Sequence, residues 1–446
     1  MSDARYESWG RLDRDPVHAR PLDEAPFRQI GEGGLLPFGN GRSYGDSCQN
    51  RAGELIDCRG ADRILAFDSE RGVIIVEAGV LLPEIIRMAA PSGWFLPATP
   101  GTQFVTVGGA IANDVHGKNH HRRGTFGRWV RAFELERSDR GRLVCSADAN
   151  ADLFAATIGG MGLTGVIRWA EIQLLKVPSL TIDQTTLRFD RLDDYFDAAA
   201  EADDAHEYSV AWIDSLATGR SLGRGHLIMG DHAEEGDLKG RAGRPLFSVP
   251  FTPPISPLSG LSLKAFNEAF FRKMPNGSSR RRSRFEPFFY PLDRVGRWNR
   301  LYGPRGMHQH QSVVPDDVAR EAVRALIECA QAHGQGSFLT VLKRFGAVPS
   351  PGILSFPRPG YTLTLDFPHR GEATLKLLAE LDRLVVAAGG ALNPYKDAHM
   401  APDVFEASFA NWGELERYRD PAMVSDFWRR TALALPAPAA ARIAAE

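Results

Sequence analysis

Cysteine is scarce: the 446-residue chain has four, Cys48, Cys58, Cys145 and Cys329. None forms a Cys-x-x-Cys pair, and none stands with histidine at zinc-site spacing, so neither a disulfide framework nor a metal centre is expected. Long apolar runs are absent too, with nothing near the ~18 residues that a membrane-crossing helix requires. The opening MSDARYESWGRLDRDP has no apolar core of signal-peptide length. The expectation is a cytoplasmic chain, with at most peripheral contact at the inner membrane. Net charge is also missing: 53 Lys and Arg stand against 55 Asp and Glu. No global field attracts nucleic acid, and none is expected as a partner. No period of 20–50 residues repeats, which excludes a solenoid.

What is present is an ordinary globular balance, 43% hydrophobic and 24% charged, over a length that predicts two or three domains. Residues 1–30 are polar and read as a surface wrap. From Gly31 to about Val177, short β-branched runs end in glycine, as in Val73–Gly79 and Gly162–Ile167, and read as strands with tight turns. Leu82–Ala90 fits a short helix with proline in its first turn. Beyond Pro178 the texture changes. Thr181–Phe189 and Gly360–Pro368 alternate as strands. Leu192–Ala202, Val313–Ala332, Ala373–Gly389 and Phe405–Glu446 read as helical, and 233–260 as a long Pro/Gly-rich loop. No regular βαβ rhythm appears, so the fold expected is α+β around an antiparallel sheet.

Two glycine-rich loops carry the chemistry. One is Gly39-Asn40-Gly41-Arg42-Ser43-Tyr44-Gly45-Asp46. The other runs Pro100-Gly101-Thr102, then Thr106-Val107-Gly108-Gly109 through Asn113-Asp114-Val115-His116-Gly117. Glycine lets backbone N–H groups converge on phosphate oxygens without a Cβ in the way. Either loop alone reads equally well as turns in a β-rich domain. The first is no Walker A loop, since no Gly-Lys-Ser/Thr follows, and no helix opens at its Gly-x-Gly as a Rossmann site demands.

With Gly159-Gly160-Met161-Gly162-Leu163-Thr164-Gly165-Val166-Ile167, the two loops resemble the FAD domain of the vanillyl-alcohol-oxidase superfamily. A closer resemblance, to the decaprenylphosphoryl-β-D-ribose 2-oxidase family, rests on several further motifs. They are Trp9-Gly10-Arg11, His116-Gly117-Lys118-Asn119-His120-His121, Pro291-Leu292-Asp293, Trp298-Asn299-Arg300, Leu354-Ser355-Phe356-Pro357, Pro359-Gly360 and Lys396-Asp397. It implies a two-part FAD-binding domain plus a substrate domain with an antiparallel sheet, divided as 1–178, 179–390 and a C-terminal segment 391–446 that returns to the FAD domain.

The resemblance also implies the site. Cofactor contacts fall to Gly39, Asn40, Gly41, Arg42, Ser43, Tyr44, Gly101, Thr106, Val107, Gly108, Gly109, Asn113, Asp114, His116, Ile167 and Asn393. Substrate contacts fall to Gln309, Gln311, Lys343, Phe345, Thr362 and Thr364, with Trp212 nearby. Gln309 and Gln311, two apart in a strand-like stretch, face one side, as do Lys343 and Phe345. A cationic, amide-lined pocket beside an aromatic ring suits a sugar phosphate. Lys396 is the expected cation beside the reduced flavin, with His116, Tyr44 and Lys118 as candidate proton acceptors. The first loop has no histidine to bond FAD covalently, which implies non-covalent FAD. Thr362 and Thr364 stand where close relatives often carry Asn and Cys.

The activity implied is FAD-dependent oxidation of the 2-hydroxyl of a polyprenyl-phosphoryl ribose. An NAD-dependent reductase is the implied partner, completing epimerisation to the arabinose form for cell-wall arabinan. The alternative is an alditol or aldonolactone oxidase acting on a soluble sugar.

Overall fold

A computed structural model describes residues 6–241, 245–258 and 260–436. Near the N-terminus, His18–Pro21, Glu54–Asp57 and Leu35–Phe38 form a small parallel sheet, with Glu54–Asp57 in the middle. The first thirty residues are thus more than a surface wrap, because His18–Pro21 supplies an edge strand. Next comes a five-stranded antiparallel sheet, ordered Ile64–Asp68, Val73–Glu77, Val166–Gln173, Val130–Arg137 and Gly141–Ser146. Helix Leu82–Ala89 buries Leu82, Ile85, Ile86 and Ala89, one apolar stripe at helical spacing. The strand expected from Gly162 begins only at Val166. Gly162 (φ +76°) and Gly165 (φ +140°) hold a turn there that other residues rarely adopt.

The second half is built on an eight-stranded antiparallel sheet. Its order is Ser278–Arg284, Thr181–Phe189, Gly225–His232, Tyr208–Ile213, Val341–Phe345, Gly360–Pro368, Met307–Val314 and Ala391–Leu392. Helices Leu192–Ala205, Ala319–Ala332 and Glu372–Ala387 pack on one face, against Leu342, Leu363, Leu365 and Phe367. The helix expected from Val313 starts instead at Ala319. Val313 and Val314 finish a strand paired to Thr362 and Tyr361, and Pro315, which lacks an N–H, favours extended backbone before it.

Strand alternation makes the opposite face polar. Register aligns Gln311 with Thr364 and Thr364 with Val341, and pairs Lys343 with Thr362 and Gln309 with Asp366. Trp212 pairs with Val341 and so shares this face. At the far edge, Ala391–Leu392 pairs with Val313 and Ser312, and the chain then turns through Asn393 to Lys396.

Of the expected C-terminal helical segment, helices Pro402–Ser408, Trp412–Tyr418 and Asp426–Arg430 are present, and 437–446 lie outside the described residues. This segment contacts the start of the chain. Arg430 forks onto Asp46 with two bonds of 2.9 Å, and Asp426 pairs with Arg51 at 2.8 Å. No helix among the described residues is long and apolar enough to cross a membrane.

Candidate flavin and substrate site

The first glycine loop follows strand Leu35–Phe38. Gly41 has φ +57°, and a side chain at Gly39 would collide with Thr106 of the second loop. The backbone N–H groups of Asn40, Gly41, Arg42 and Ser43 find no acceptor among the described residues. Arg42 lies beside them, stacked on Trp9 with its guanidinium carbon 4.3 Å from the ring centroid, and its buried Nε also has no hydrogen-bond partner. Such convergent donors fit a pyrophosphate.

The second loop differs. Its Val107 and Gly108 N–H groups donate to Val80 and Ala78 carbonyls, and the Gly109 N–H donates to Thr106 Oγ1, the cap of helix Val107–Ala112. At Val107–Gly109 its amides are occupied by the protein and brace the first loop from across Gly39, whereas the Gly101, Thr102 and Thr106 N–H groups find no acceptor among the described residues and remain available as donors. Asn40 reinforces the brace, donating to Phe104 O at 2.8 Å.

The Trp9–Arg11 motif stitches this loop to the large sheet. Trp9 N and Gly10 N donate to Ser43 O and Tyr44 O, and Met307 N donates to Gly10 O. Tyr44 N donates to Tyr395 O, which brings the Lys396 turn alongside. Lys396 Nζ consequently sits 4.1 Å from the centroid of the Tyr44 ring. Burial lowers the Lys396 ammonium to about 8, and nearby Asp366 partly restores it. Burial pushes the Asp366 carboxyl up to about 7, opposed by the bond from Gln309 and by Lys396. Gln309 Nε2 donates to Asp366 Oδ1 at 2.6 Å. Burial also raises the Tyr44 phenol well above its usual range.

Two residues along the same strand, Gln311 begins a second cluster. It accepts from Asn393 Nδ2 at 2.9 Å and donates to Thr362 Oγ1 at 3.2 Å, and its amide nitrogen stands 3.4 Å from His116 Nε2. His116 Nδ1 lies 2.6 Å from Lys343 Nζ, which donates to Gly117 O at 2.7 Å. Phe345 meets the His116 ring edge-on at 4.8 Å. Burial, then Lys343, holds His116 well below its ordinary value, and burial does the same to Lys343. Burial thus weakens the charged form of both groups, and an anion beside them would support it.

Most of the candidate residues thus converge, and some do not. Lys118 Nζ donates to Phe289 O and makes no hydrogen bond to either cluster, although its charge acts on Lys343. Asp114, with φ +39°, is a loop staple: its carboxylate accepts from Ser350, Ser355 and the Gly127 N–H. Asn113 Nδ2 donates to Gly109 O. Trp212 shares the sheet face, but its ring packs on His226 and Phe270. Ile167 is buried in the five-stranded sheet, and Gly101 borders open space. Sequence reasoning missed Asp366, although it lies two residues after Thr364 in a cleanly alternating strand and was legible on that count. It also missed Tyr395, whose hydroxyl donates to Gly159 O and has no signal in sequence.

Fold and glycine loop together define a FAD-binding oxidoreductase. The family model described as FAD binding domain matches residues 32–146. The chain is 36% identical to decaprenylphosphoryl-beta-D-ribose oxidase of Mycolicibacterium smegmatis, over 96% of this chain and 97% of that protein. It is 36% identical to an uncharacterized protein of Streptomyces coelicolor, over 79% of this chain and all of the other. A shorter similarity, 32% over 33% of each chain, is to L-gulonolactone oxidase of Mus musculus. The chain belongs to the decaprenylphosphoryl-β-D-ribose oxidase family.

Proposed function

We propose that this protein oxidises the 2-hydroxyl of a polyprenyl-phosphoryl ribose to the 2-keto sugar. The supporting observation is the polar sheet face, where strand Met307–Val314 joins the Lys343–His116–Gln311 cluster to the Lys396–Tyr44–Gln309 cluster. FAD, when bound, supplies the acceptor for the hydrogen carried by the sugar carbon.

The chain's own residues do the rest. Asn40–Ser43 amides and Arg42 hold the pyrophosphate, with residues 1–178 as the FAD-binding part, 179–390 as the substrate part and 391–446 closing back on the first. Lys343, its charge supported by the bound anion, takes the phosphate of the substrate, with Gln311 and Thr362 bonding sugar hydroxyls. Lys396 in its neutral form accepts the hydroxyl proton at Nζ and then stands as a cation that stabilises negative charge nearby. His116, wedged between Lys343 and Gln311, orients rather than accepts. FAD is held non-covalently, because Gly39–Asp46 contains no histidine. The keto product requires a hydride donor to complete epimerisation, which an NAD-dependent reductase provides.

The partial similarity to L-gulonolactone oxidase keeps a soluble-sugar oxidase as the competing reading. Anaerobic mixing decides between them. Bleaching of the flavin by polyprenyl-phosphoryl ribose, and not by alditols or aldonolactones, is expected. The converse pattern overturns the proposal.

A further inference from the structure

We infer that the surface formed by residues 245–258, 260–273 and strand Ser278–Arg284 docks on a bilayer of anionic phospholipid. Exposure comes first. Leu246, Phe247, Phe251, Ile255 and Leu261 are 61–82% exposed, whereas every other exposed large apolar side chain among the described residues is at 47% or below. The five most exposed apolar side chains therefore share one short segment. Scattered single apolar residues are ordinary on a surface, but a concentration of this kind marks an interaction site.

The backbone beneath them is held. Phe247–Ser248 pairs with Val295–Gly296. Arg300 donates to Val249 O and Pro250 O, Arg11 to Thr252 Oγ1, and Ser256 to Leu301 O. Leu258 is buried with Tyr44, Trp298 and Tyr302. The anchored residues alternate with the apolar tips, which are thereby aimed at solvent.

Charge identifies the occupant. From Pro245 to Arg305 the sequence has eleven Lys or Arg against three Asp or Glu, an excess of eight positive charges in a chain of net −2. Lys264, Lys273, Arg280 and Arg297 are exposed and make no ion pair among the described residues. Strand Ser278–Arg284 (SSRRRSR) is the open edge of the large sheet. Apolar tips that insert among acyl chains, in a stretch of chain that also carries unpaired exposed cations, match an anionic interface. A protein partner would more naturally meet a contiguous apolar face with fewer unpaired charges.

The patch also borders the site. Helix Gly260–Arg272 lays Phe270 on Trp212, which belongs to the polar face of the sheet, and Leu258 and Leu263 share a cluster with Tyr44. The purpose of the surface rests on the lipid-linked substrate proposed above: docking here would let the ribose enter while the polyprenyl tail stays in the membrane.

Flotation of the FAD-loaded protein with vesicles tests this. One set is phosphatidylcholine alone, and the other contains roughly one third phosphatidylglycerol. Co-flotation with the anionic vesicles is expected, weakening with salt. Each basic residue near such a surface is worth about fivefold in partitioning. The variant Lys264→Gln/Lys273→Gln/Arg280→Gln/Arg297→Gln is then expected to lose about six hundredfold. Phe247→Ser/Phe251→Ser/Ile255→Ser is expected to lose binding at low salt as well. Flavin content and melting temperature should stay unchanged in both variants. Wild-type protein that stays in solution with both vesicle types overturns the inference and points to a protein partner. So does either variant floating like wild type. Bleaching by detergent-dispersed substrate needs no bilayer, so its failure would count against the reaction and not against the surface.

Discussion

Replacing Lys396 by alanine removes the one lysine that lies against the Tyr44 ring. The backbone around it is independently fixed: Asn393 N donates to Gln311 O, Lys396 N to Asn393 O, and Tyr44 N to Tyr395 O. The turn therefore survives, and the perturbation is confined to an ammonium 4.1 Å from an aromatic centroid and to the charge balance at Asp366. Loss of the cation–π contact costs about 1–2 kcal/mol of stability in such a desolvated place. The cost to the reaction is larger. A preorganised charge at the reacting centre contributes about 3–4 kcal/mol, a factor of 10²–10³ in rate. With Lys396 near 8, about one tenth of it is neutral at pH 7. Wild-type flavin reduction should therefore climb about tenfold from pH 7 to its plateau above about pH 9, and Lys396→Ala should lose both the rate and this limb. Anaerobic stopped-flow reduction by polyprenyl-phosphoryl ribose, with bound FAD checked by absorbance, measures both. Near-wild-type reduction with FAD fully bound would refute the reasoning.

Three further outcomes follow from the geometry. Acid or heat should release intact FAD into solution, and flavin fluorescence that stays with the denatured polypeptide on a gel would show a covalent bond instead. Gly39→Ala should purify folded but with at least tenfold weaker FAD binding, because its Cβ meets Thr106 and pushes the two loops apart; titration of apoprotein with FAD reads this directly. Asp397→Asn should cost about 3–5 kcal/mol in denaturant unfolding, since buried Asp397 bonds Arg430 at 2.8 Å and His399 at 2.9 Å. Burial lowers His399, but Asp397 together with Asp382, 3.1 Å away, outweighs it and lifts the imidazole to about 10. Its contribution to stability is then fully present below the ordinary histidine range and lost as pH rises through about 10, an alkaline limb that Asp397→Asn should flatten.

Local pattern carried much of the fold. Strands Thr181–Phe189 and Gly360–Pro368 were legible from alternation alone, and helix Leu82–Ala89 from its stripe and its proline. Val313 and Val314 were misassigned because two valines before a proline fit a strand end as well as a helix start. Only pairing with a strand nearly fifty residues away decides between them. The same limit governs the site. Gln309, Gln311, Lys343 and Thr362 could be placed on strand faces by counting in twos, but that those faces coincide depends on register. Register depends on long-range pairing that no local window contains. The glycine loops showed a subtler limit: both have the composition of an anion cradle, yet the second spends its Val107–Gly109 N–H groups on the protein and leaves those of Gly101, Thr102 and Thr106 without an acceptor among the described residues. That distinction lies in which carbonyls surround them.

Strand Met307–Val314 works as a two-sided partition. Gln309 and Gln311 look toward the proposed reaction, while His310 looks the other way and stands 3.2 Å from buried Asp382, itself 3.1 Å from His399. An insertion or deletion of a single residue here would exchange the two sides, aiming imidazoles at the sugar and burying amides among carboxylates. This strand should therefore tolerate substitution far better than any change of length. A saturation scan along it should separate by parity, with odd positions altering turnover and even positions altering the yield of folded protein.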